Sequence, residues 1–391
     1  MFINLLLFIL LGILLGTITG LTPGIHINLL SVLLLSVLPL FKITPLHSSV
    51  VIVSMAVTHT FLDTIPSTFL GVAEEDTALA LLPSHKLLLE GKGYEAVMLT
   101  VVGSLGGLIF VILLSPLTLI ITPIVYSFLQ EHIGILLIVI SLILILRESN
   151  RFWAIVLFFL SGLLGIAVFD LPITEPLFPL FSGLFGVSML LMSVYNKVAI
   201  PKQEVCKIDT THSFRSIIVA TFIGSFASFM PGLGPAQAAT LSSYIITIKE
   251  KAYLILIGSL STANMIFSFV TLYTIDKARN GAVIAVSELF SITGKDFVIL
   301  LCVSLLVGGI ATILAIYITK VFSKVIVRIN YPFLCWTIII FIVVSVFVIS
   351  SWVGLVVLFV SCALGIIPAV KKVSRSHMMG CILLPVILYF V

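Results

Sequence analysis

The sequence contains little charge. Charged residues make up 9% of its 391 residues and hydrophobic residues 60%, whereas roughly a quarter of an ordinary soluble domain is charged. Residues 1–41 and 216–248 carry no charged side chain, and about 20 apolar residues are enough to cross a bilayer. Most of the chain must therefore face lipid or other apolar helices, which predicts an all-α, multi-pass protein of the cell membrane.

Sequence signals of enzymes and cofactor sites are also missing. The chain has no pair of Cys or His at metal-binding spacing, no Gly-rich phosphate loop followed by Lys and Ser or Thr, and no Gly-x-Ser-x-Gly motif. We therefore expect no enzyme, no cofactor and no bound metal, and this chain alone has no room for the nucleotide-binding domain of an ATP-driven pump. The net charge of +4 is loop charge and indicates no nucleic-acid partner. We expect the five cysteines to be core residues without disulfides: Cys206, Cys302, Cys335, Cys362 and Cys381.

Two similar interruptions occur in the apolar sequence. Gly16 is followed after six residues by Pro23-Gly24, and Gly224 is followed after six residues by Pro231-Gly232. A Pro-Gly pair removes an amide donor and frees the next backbone angle, so it breaks a helix. Broken helix within the hydrocarbon is tolerated where it is buried in protein or lines a cavity. The two breaks are therefore predicted to form the walls of one binding site.

The order of apolar segments repeats along the chain, which indicates a duplicated unit. We predict a first half over 1–196, a polar cytoplasmic linker over 197–215 and a second half over 216–391. Each half begins with a broken element, at 1–39 and at 216–248, that is either a re-entrant hairpin or a full crossing. Ten spans are predicted near 48–70, 94–116, 132–147, 152–168, 177–196, 252–274, 296–319, 330–348, 352–369 and 377–391.

Basic residues predict the orientation of the two halves. With alternating spans, the linker and the basic loops around Arg147, Lys320, Lys371 and Arg375 fall on one side, and the loops on the other side contain few Lys or Arg. By the positive-inside rule the basic loops are cytoplasmic and the halves are inverted relative to each other.

Inverted halves would bring two helix N-termini together near the middle of the membrane, one after Gly24 and one after Gly234. A helix N-terminus offers unpaired amides and a partial positive charge, which suits a carboxylate or phosphate. This arrangement is known in inverted-repeat transporters, although small residues at these positions could instead serve close helix packing. The candidate substrate-binding residues are Thr19, Thr22, Pro23, Gly24, His26, Asn28, Ser228, Pro231, Gly232, Gly234 and Gln237.

A second polar group lies within the span near 48–70. Asp63 could bind a coupling cation or proton, with His59 and Thr64 beside it, because an ionisable residue inside a span is costly and by default a functional candidate. Alternatively, Pro66 ends the span and Asp63 caps the next turn near the surface. Asn264 occupies the comparable, uncharged part of the second half, and Na⁺ or H⁺ is the candidate coupling ion.

Three stretches resemble a known family. Gly16 to Gly24 with the run after it, Gly224 to Tyr244, and Thr77 to Gly107 with Gly91-Lys92 are similar to TctA, the large permease subunit of tripartite tricarboxylate transporters, in its shorter, archaeal-type form. The resemblance implies ion-driven secondary transport of a carboxylate such as citrate, with the Pro-Gly loops at the substrate site. The chain is much shorter than the permeases that work with a binding protein and a small membrane subunit.

The resulting prediction is an ion-coupled secondary transporter for a small organic anion, embedded in the lipid bilayer and working by alternating access. Partner subunits and a homo-oligomer are left open. Two alternatives remain at this stage: a translocase that moves a polyprenyl-phosphate lipid carrier through the same anion site, and a membrane scaffold or intramembrane enzyme.

Overall fold

The computed structural model describes residues 2–22, 30–31, 34–35, 43–71, 81–196, 200–205, 208, 213–228, 234–235, 238–239, 241–242, 250–278 and 280–391. Over these residues the regular elements are all helices. The predicted all-α class is confirmed.

The helices of the N-terminal part are α1 Phe2–Leu21, α2 Pro45–Leu62, α3 Thr64–Leu70, α4 Leu81–Leu89, α5 Gly93–Leu129, α6 Ile133–Leu146, α7 Arg151–Phe169 and α8 Leu177–Tyr195. Those of the C-terminal part are α9 Ser213–Ala227, α10 Glu250–Ile275, α11 Gly281–Leu289, α12 Gly294–Val325, α13 Tyr331–Lys371 and α14 Gly380–Phe390, with 3₁₀ turns at Ile326–Arg328 and Arg375–Met379. Side chains cap several of these starts: Thr44 accepts from the amide of His47 at α2, and Thr293 forms a capping box with Asp296 at α12.

Seven of the described helices are long and apolar enough to cross a membrane. The count of ten spans and the inverted arrangement of the halves stay predictions.

One predicted loop is helical. The span near 94–116 was expected to end at Pro116, but α5 continues through Pro116 and Pro123 to Leu129. Its extension is apolar, and large side chains such as Ile120 and Phe128 are exposed. Proline in a membrane helix can be tolerated when the freed carbonyl is satisfied locally. Ser115 Oγ donates at 2.7 Å to the carbonyl of Ile112, the group that Pro116 leaves without its helical amide donor.

The helix α13 is a hairpin rather than a single rod. Ser351 has φ 58° and ψ −166°, which interrupts the helix between the two predicted spans at 330–348 and 352–369. A Cβ on Gly354 would lie 3.5 Å from the carbonyl oxygen of Val346, whereas eight residues of straight helix extend about 12 Å. The chain therefore reverses direction at Ser351.

Two helical segments occupy the centre of the protein. In an apolar stretch of 18 residues within Pro45–Leu70 (α2 and α3) every residue is buried, and in the corresponding stretch of α10 94% of the residues are buried. The buried share is 22% in α5 and 44% in the segment that contains α12. The outer helices therefore present apolar faces to lipid, while α2, α3 and α10 are enclosed by protein.

The central helices pack in a reciprocal pattern. In the N-terminal part α1 lies against α2, and in the C-terminal part α9 lies against α10; across the chain α5 packs on α10 and α12 packs on α2. Farther out, α7 packs on α14 and α13 packs on α8. A duplicated chain whose halves exchange helices would produce this pattern. The boundaries of the halves and linker stay predictions.

Glycines allow backbones to touch at the main crossing. A Cβ on Gly103 of α5 would overlap the carbonyl oxygen of Ile255, and one on Gly258 of α10 would overlap the carbonyl oxygen of Thr100. Ser104 donates to the carbonyl of Gly258 across the same contact, at 3.2 Å. Small residues at both sides of a crossing are typical of tight helix pairs in membranes.

The glycines that begin the two predicted break motifs lie inside helices. Gly16 is in α1, where Gly12, Gly16 and Gly20 form one face against α2, and Gly224 is in α9 beside Leu260 of α10. Their role in the structure is helix packing. One further expectation is wrong, because Cys302 is exposed rather than in the core. Arg375, in a predicted basic loop, is buried and donates to Ser188.

Gln203, in the predicted linker, is buried against the α4–α5 turn. Its amide nitrogen donates to the carbonyl of Leu88 at 3.0 Å, and its amide oxygen accepts from the N–H of Gly93 at 2.8 Å. Glu204 adds a backbone hydrogen bond to Gly91. This part of the linker is therefore docked on the helical body.

Replacing Gln203 by alanine is expected to lower the free energy of unfolding by about 1–3 kcal/mol, because it leaves buried backbone groups unpaired. Thermal unfolding of the purified protein measures the change. Gln130→Ala, at the exposed end of α5, is the matched control and should change stability by less than about 0.5 kcal/mol. Equal effects of the two variants would show that Gln203 does not anchor the linker.

Candidate functional site

Buried polar side chains collect on the two enclosed helical segments. The run from Thr58 to Thr64 lies on α2 and the start of α3, and Ser259, Ser261 and Thr262 lie on α10. Two of these hydroxyls donate to the preceding turn of their own helix, Thr58 to Ser54 and Thr60 to Val57. Others reach across to a neighbouring helix, and those contacts define the candidate site.

The first such contact joins α1 to α2. His59 Nδ1 lies 3.1 Å from Thr19 Oγ1, and both residues are almost completely buried. The Thr19 hydroxyl also donates to the carbonyl of Gly16 at 3.2 Å. A hydroxyl has one proton, so this arrangement lets Thr19 accept from His59 with the imidazole proton on Nδ1. Thr19 lies in the last turn of α1, just before the predicted break.

The second contact joins α9 to α10 in the same way. Ser228 Oγ donates to Asn264 Oδ1 at 2.8 Å, and the carbonyl oxygen of Gly224 lies 2.9 Å away as an alternative acceptor for the same proton. Ser228 directly follows the last residue of α9 and precedes the second predicted break. Each predicted break is therefore preceded in the sequence by a hydroxyl residue that contacts a polar side chain of an enclosed helix.

Asp63 lies one turn beyond His59. Its amide donates to the carbonyl of His59 at 2.9 Å, and the residue is 3% exposed. It forms the junction between α2 and α3, where its side chain makes no capping hydrogen bond. Asp63 is thus buried inside the protein. This differs from the alternative in which Pro66 ends the span and Asp63 caps the next turn near the surface.

Five buried hydroxyls on the enclosed helices have no hydrogen-bond partner for their side-chain oxygens within the described part of the chain: Ser48, Ser54, Thr64, Ser261 and Thr262. A buried polar group without a partner costs about 1–3 kcal/mol. Such groups on enclosed helices are ones that a bound ligand, ion or water would satisfy.

The charge of the enclosed helices is low. Residues 45–70 and 252–275 contain no Lys or Arg, and Asp63 is their single acidic residue. A bound anion would therefore meet hydroxyl, amide and imidazole groups and backbone N–H groups rather than a basic side chain. No group of three or more His, Cys, Asp or Glu side chains comes together among the residues that the structure describes.

A family model described as the tripartite tricarboxylate transporter TctA family matches residues 6–380. The chain belongs to this family. The resemblance seen in the sequence is confirmed, and this TctA chain is a multi-pass permease of the cell membrane. Membership of a transporter family agrees with the expectation of no enzyme.

This TctA chain is also similar to an uncharacterized protein of Methanocaldococcus jannaschii. The two are 32% identical over 390 residues, which covers 94% of each chain. The relative is archaeal, in agreement with the expected archaeal-type form. No solved structure matches the chain.

The other predicted site residues of the TctA chain are less informative. Thr22 donates to the carbonyl of Ile18, and Gly234 accepts from the amide of Ala238 at 3.1 Å. Seven predicted residues lie outside the described residues: Pro23, Gly24, His26, Asn28, Pro231, Gly232 and Gln237.

The sequence reasoning missed two ion pairs at the start of α10. Lys86 of α4 pairs with Glu250 at 2.6 Å, and Glu95 of α5 pairs with Lys251. Their signal was available, since Glu250-Lys251 places opposite charges side by side immediately before an apolar span. The pairs fix the end of α10 against the helices it crosses. The Lys86–Glu250 pair is exposed, so its contribution to stability is small.

Proposed function

We propose that this TctA chain is an ion-coupled secondary transporter for an organic anion, with a di- or tricarboxylate as substrate. The observation that carries the proposal is the pair of matched contacts, Thr19 with His59 and Ser228 with Asn264. Both contacts are buried or partly buried, both involve an enclosed helix, and both lie just before a Pro-Gly pair. Family membership supports the transporter class and the anionic substrate.

The substrate carboxylates would bind at the Pro-Gly breaks. A helix that restarts after a break offers unpaired N–H groups and the positive end of its dipole. Thr19 and Ser228 precede the two predicted breaks in the sequence, and their hydroxyls can donate to a carboxylate oxygen once they give up their present partners. Movement of one half against the other around the two breaks would then open the site to alternate sides.

Asp63 supplies a reason for ion coupling. An anion and a carboxylate repel each other strongly in a low-dielectric interior. An anionic substrate would therefore bind well only when Na⁺ or H⁺ neutralises Asp63, which is buried within one turn of His59. Cation and substrate would then cross the membrane together, which is the requirement for symport.

A tricarboxylate or dicarboxylate is expected to raise the melting temperature of the purified protein, and to do so more strongly with Na⁺ or at low pH. A ligand at about 100 times its Kd stabilises the native state by about 2.7 kcal/mol. The ligands to be tested in the same way include inorganic phosphate and a short polyprenyl phosphate. A shift with the polyprenyl phosphate alone would replace the proposal by a lipid-carrier translocase, and no shift with any anion would contradict an anion site.

Matched threonine variants test where the ligand binds. Thr19→Val keeps the side-chain shape but removes the hydroxyl at the contact with His59, and should abolish most of the ligand-induced shift. Thr17→Val is the control, because Thr17 lies on the same helix and donates to the carbonyl of Ile13. Equal ligand shifts in both variants would place the substrate elsewhere.

A further inference from the structure

A pocket of about 930 Å³ lies at one end of the helical body, between the α6–α7 connection and the end of α13. Four cationic side chains line it, and one carboxylate, Glu148, lies among them. The cations are Arg147, Arg151, Lys371 and Lys372. The residues that line the pocket are distant in sequence from those of the proposed transport site. The pocket carries a net positive charge, whereas the ionisable residue proposed for ion coupling, Asp63, is acidic.

The pocket is fixed by interactions at its base. Glu148 Oε2 accepts from the amide of Ser374 and from His377 Nε2, both at 3.1 Å, and so ties the α6–α7 connection to the segment after α13. Burial opposes ionisation of Glu148, but hydrogen bonds from Ser374, His377 and Ser149 outweigh it and hold the pKa of the carboxyl below its ordinary value. The carboxylate is therefore engaged in joining the two walls.

Two of the four cations are also held in place. Arg151 Nε donates to the carbonyl of Leu146 at 3.0 Å, and Lys371 Nζ lies 4.5 Å from the centre of the Trp153 ring. Cation–π contact of this kind orients the ammonium group without neutralising it. Formally, four positive charges face one negative charge at this site.

Apolar side chains surround the cationic pocket. Leu146, Phe152 and Val370 are each more than half exposed, at the ends of apolar helices, and Trp153 lies beside them. Basic groups next to exposed aliphatic and aromatic side chains at a helix end are typical of the membrane interface. A ligand there would have a negative head and an apolar body.

We propose that this pocket binds the phosphate headgroup of an anionic phospholipid, with the acyl chains lying along the exposed faces of α6, α7 and the end of α13. Basic pockets between membrane helices bind such headgroups, and the volume of the pocket lies within the range of small-molecule sites. A free phosphate ion offers the same oxygens but cannot use the apolar surface. The two sources of phosphate therefore differ in how strongly they bind.

Native mass spectrometry of the purified full chain, titrated with phosphatidylglycerol or phosphatidylcholine of the same acyl chains, tests the proposal. Phosphatidylglycerol should bind at least about tenfold more tightly. Lys371→Gln with Lys372→Gln should weaken its binding about 25-fold, since each basic residue near an anionic headgroup contributes about fivefold, or about 1 kcal/mol.

The double variant Lys320→Gln with Lys324→Gln is the control. It removes the same charge from exposed positions of α12, and Lys320 also lies near an aromatic ring, that of Tyr317. If the control variant binds phosphatidylglycerol within twofold of the parent protein, the result supports a defined pocket. An equal loss of affinity in both double variants would show diffuse electrostatic attraction and would overturn the proposal. Equal binding of the two lipids, or displacement of phosphatidylglycerol by millimolar inorganic phosphate, would also overturn the proposal.

Discussion

Replacing Gly103 by alanine is expected to destabilise the protein so strongly that little monodisperse material is recovered in detergent. The new Cβ would overlap the backbone carbonyl of Ile255 on α10, and no side-chain rotation can relieve a clash with backbone. The helices α5 and α10 would have to separate and lose the hydrogen bond from Ser104 to Gly258. Overpacking of this kind costs about 1–3 kcal/mol and sometimes more. Size-exclusion chromatography and thermal unfolding measure the effect.

Gly309→Ala is the matched control for this variant. Gly309 lies in the middle of α12, and a Cβ added to it would meet no atom within 4 Å. Alanine is favoured over glycine in a helix by about 1 kcal/mol, so this change should leave stability unchanged or raise it. Gly103→Ala should therefore lower the melting temperature, whereas Gly309→Ala should leave it unchanged or raise it. A similar fall in both would mean that the contact of α5 with α10 is not what makes Gly103 necessary.

Replacing Asp63 by asparagine is expected to abolish concentrative uptake while the protein still folds and exchanges substrate. Asparagine has nearly the same shape but cannot bind a proton and holds a cation weakly. With no membrane potential applied, a tenfold gradient of one coupling cation contributes about 1.4 kcal/mol, which corresponds to roughly tenfold accumulation. Without coupling, the ratio of internal to external substrate in proteoliposomes should fall to about 1, whereas counterflow exchange should continue.

Asp170→Asn is the control, because it removes one carboxylate charge by the same substitution at an exposed position. Asp170 is exposed, directly after α7, and its replacement should leave accumulation intact. Accumulation that survives Asp63→Asn would place the coupling ion at another group. Loss of both accumulation and counterflow would instead assign Asp63 to substrate binding or to the folding of the α2–α3 junction.

Much of the helical layout could be predicted from hydropathy because polar and charged residues end most of the helices. The span predicted at 132–147 is α6, Ile133–Leu146, and the span at 152–168 is α7, Arg151–Phe169. The prediction failed at Pro116, which was taken as an end although α5 continues through it to Leu129. Composition cannot show whether the carbonyls near a membrane proline find other donors.

The site was predictable in its parts but not in its pairing. Thr19 and Ser228 stood out as hydroxyls beside the breaks, and His59 and Asn264 as polar residues within spans. Their contacts join residues 40 and 36 positions apart, and only the packing of α1 on α2 and of α9 on α10 brings them together. The cationic pocket was hidden for the same reason, since it joins basic residues of two distant connections.

The reciprocal packing of the central helices has a consequence for how the protein is made. The enclosed helix α2 packs against α12, which leaves the ribosome only after more than half of the chain has been synthesised. At 5–20 residues per second this delay is on the order of tens of seconds. During that time a helix bearing Asp63 waits in the bilayer or at the insertion machinery without its covering partner. Newly made chains are therefore most exposed to quality-control proteases before α12 is inserted, and truncation before this helix should yield a product that the cell removes.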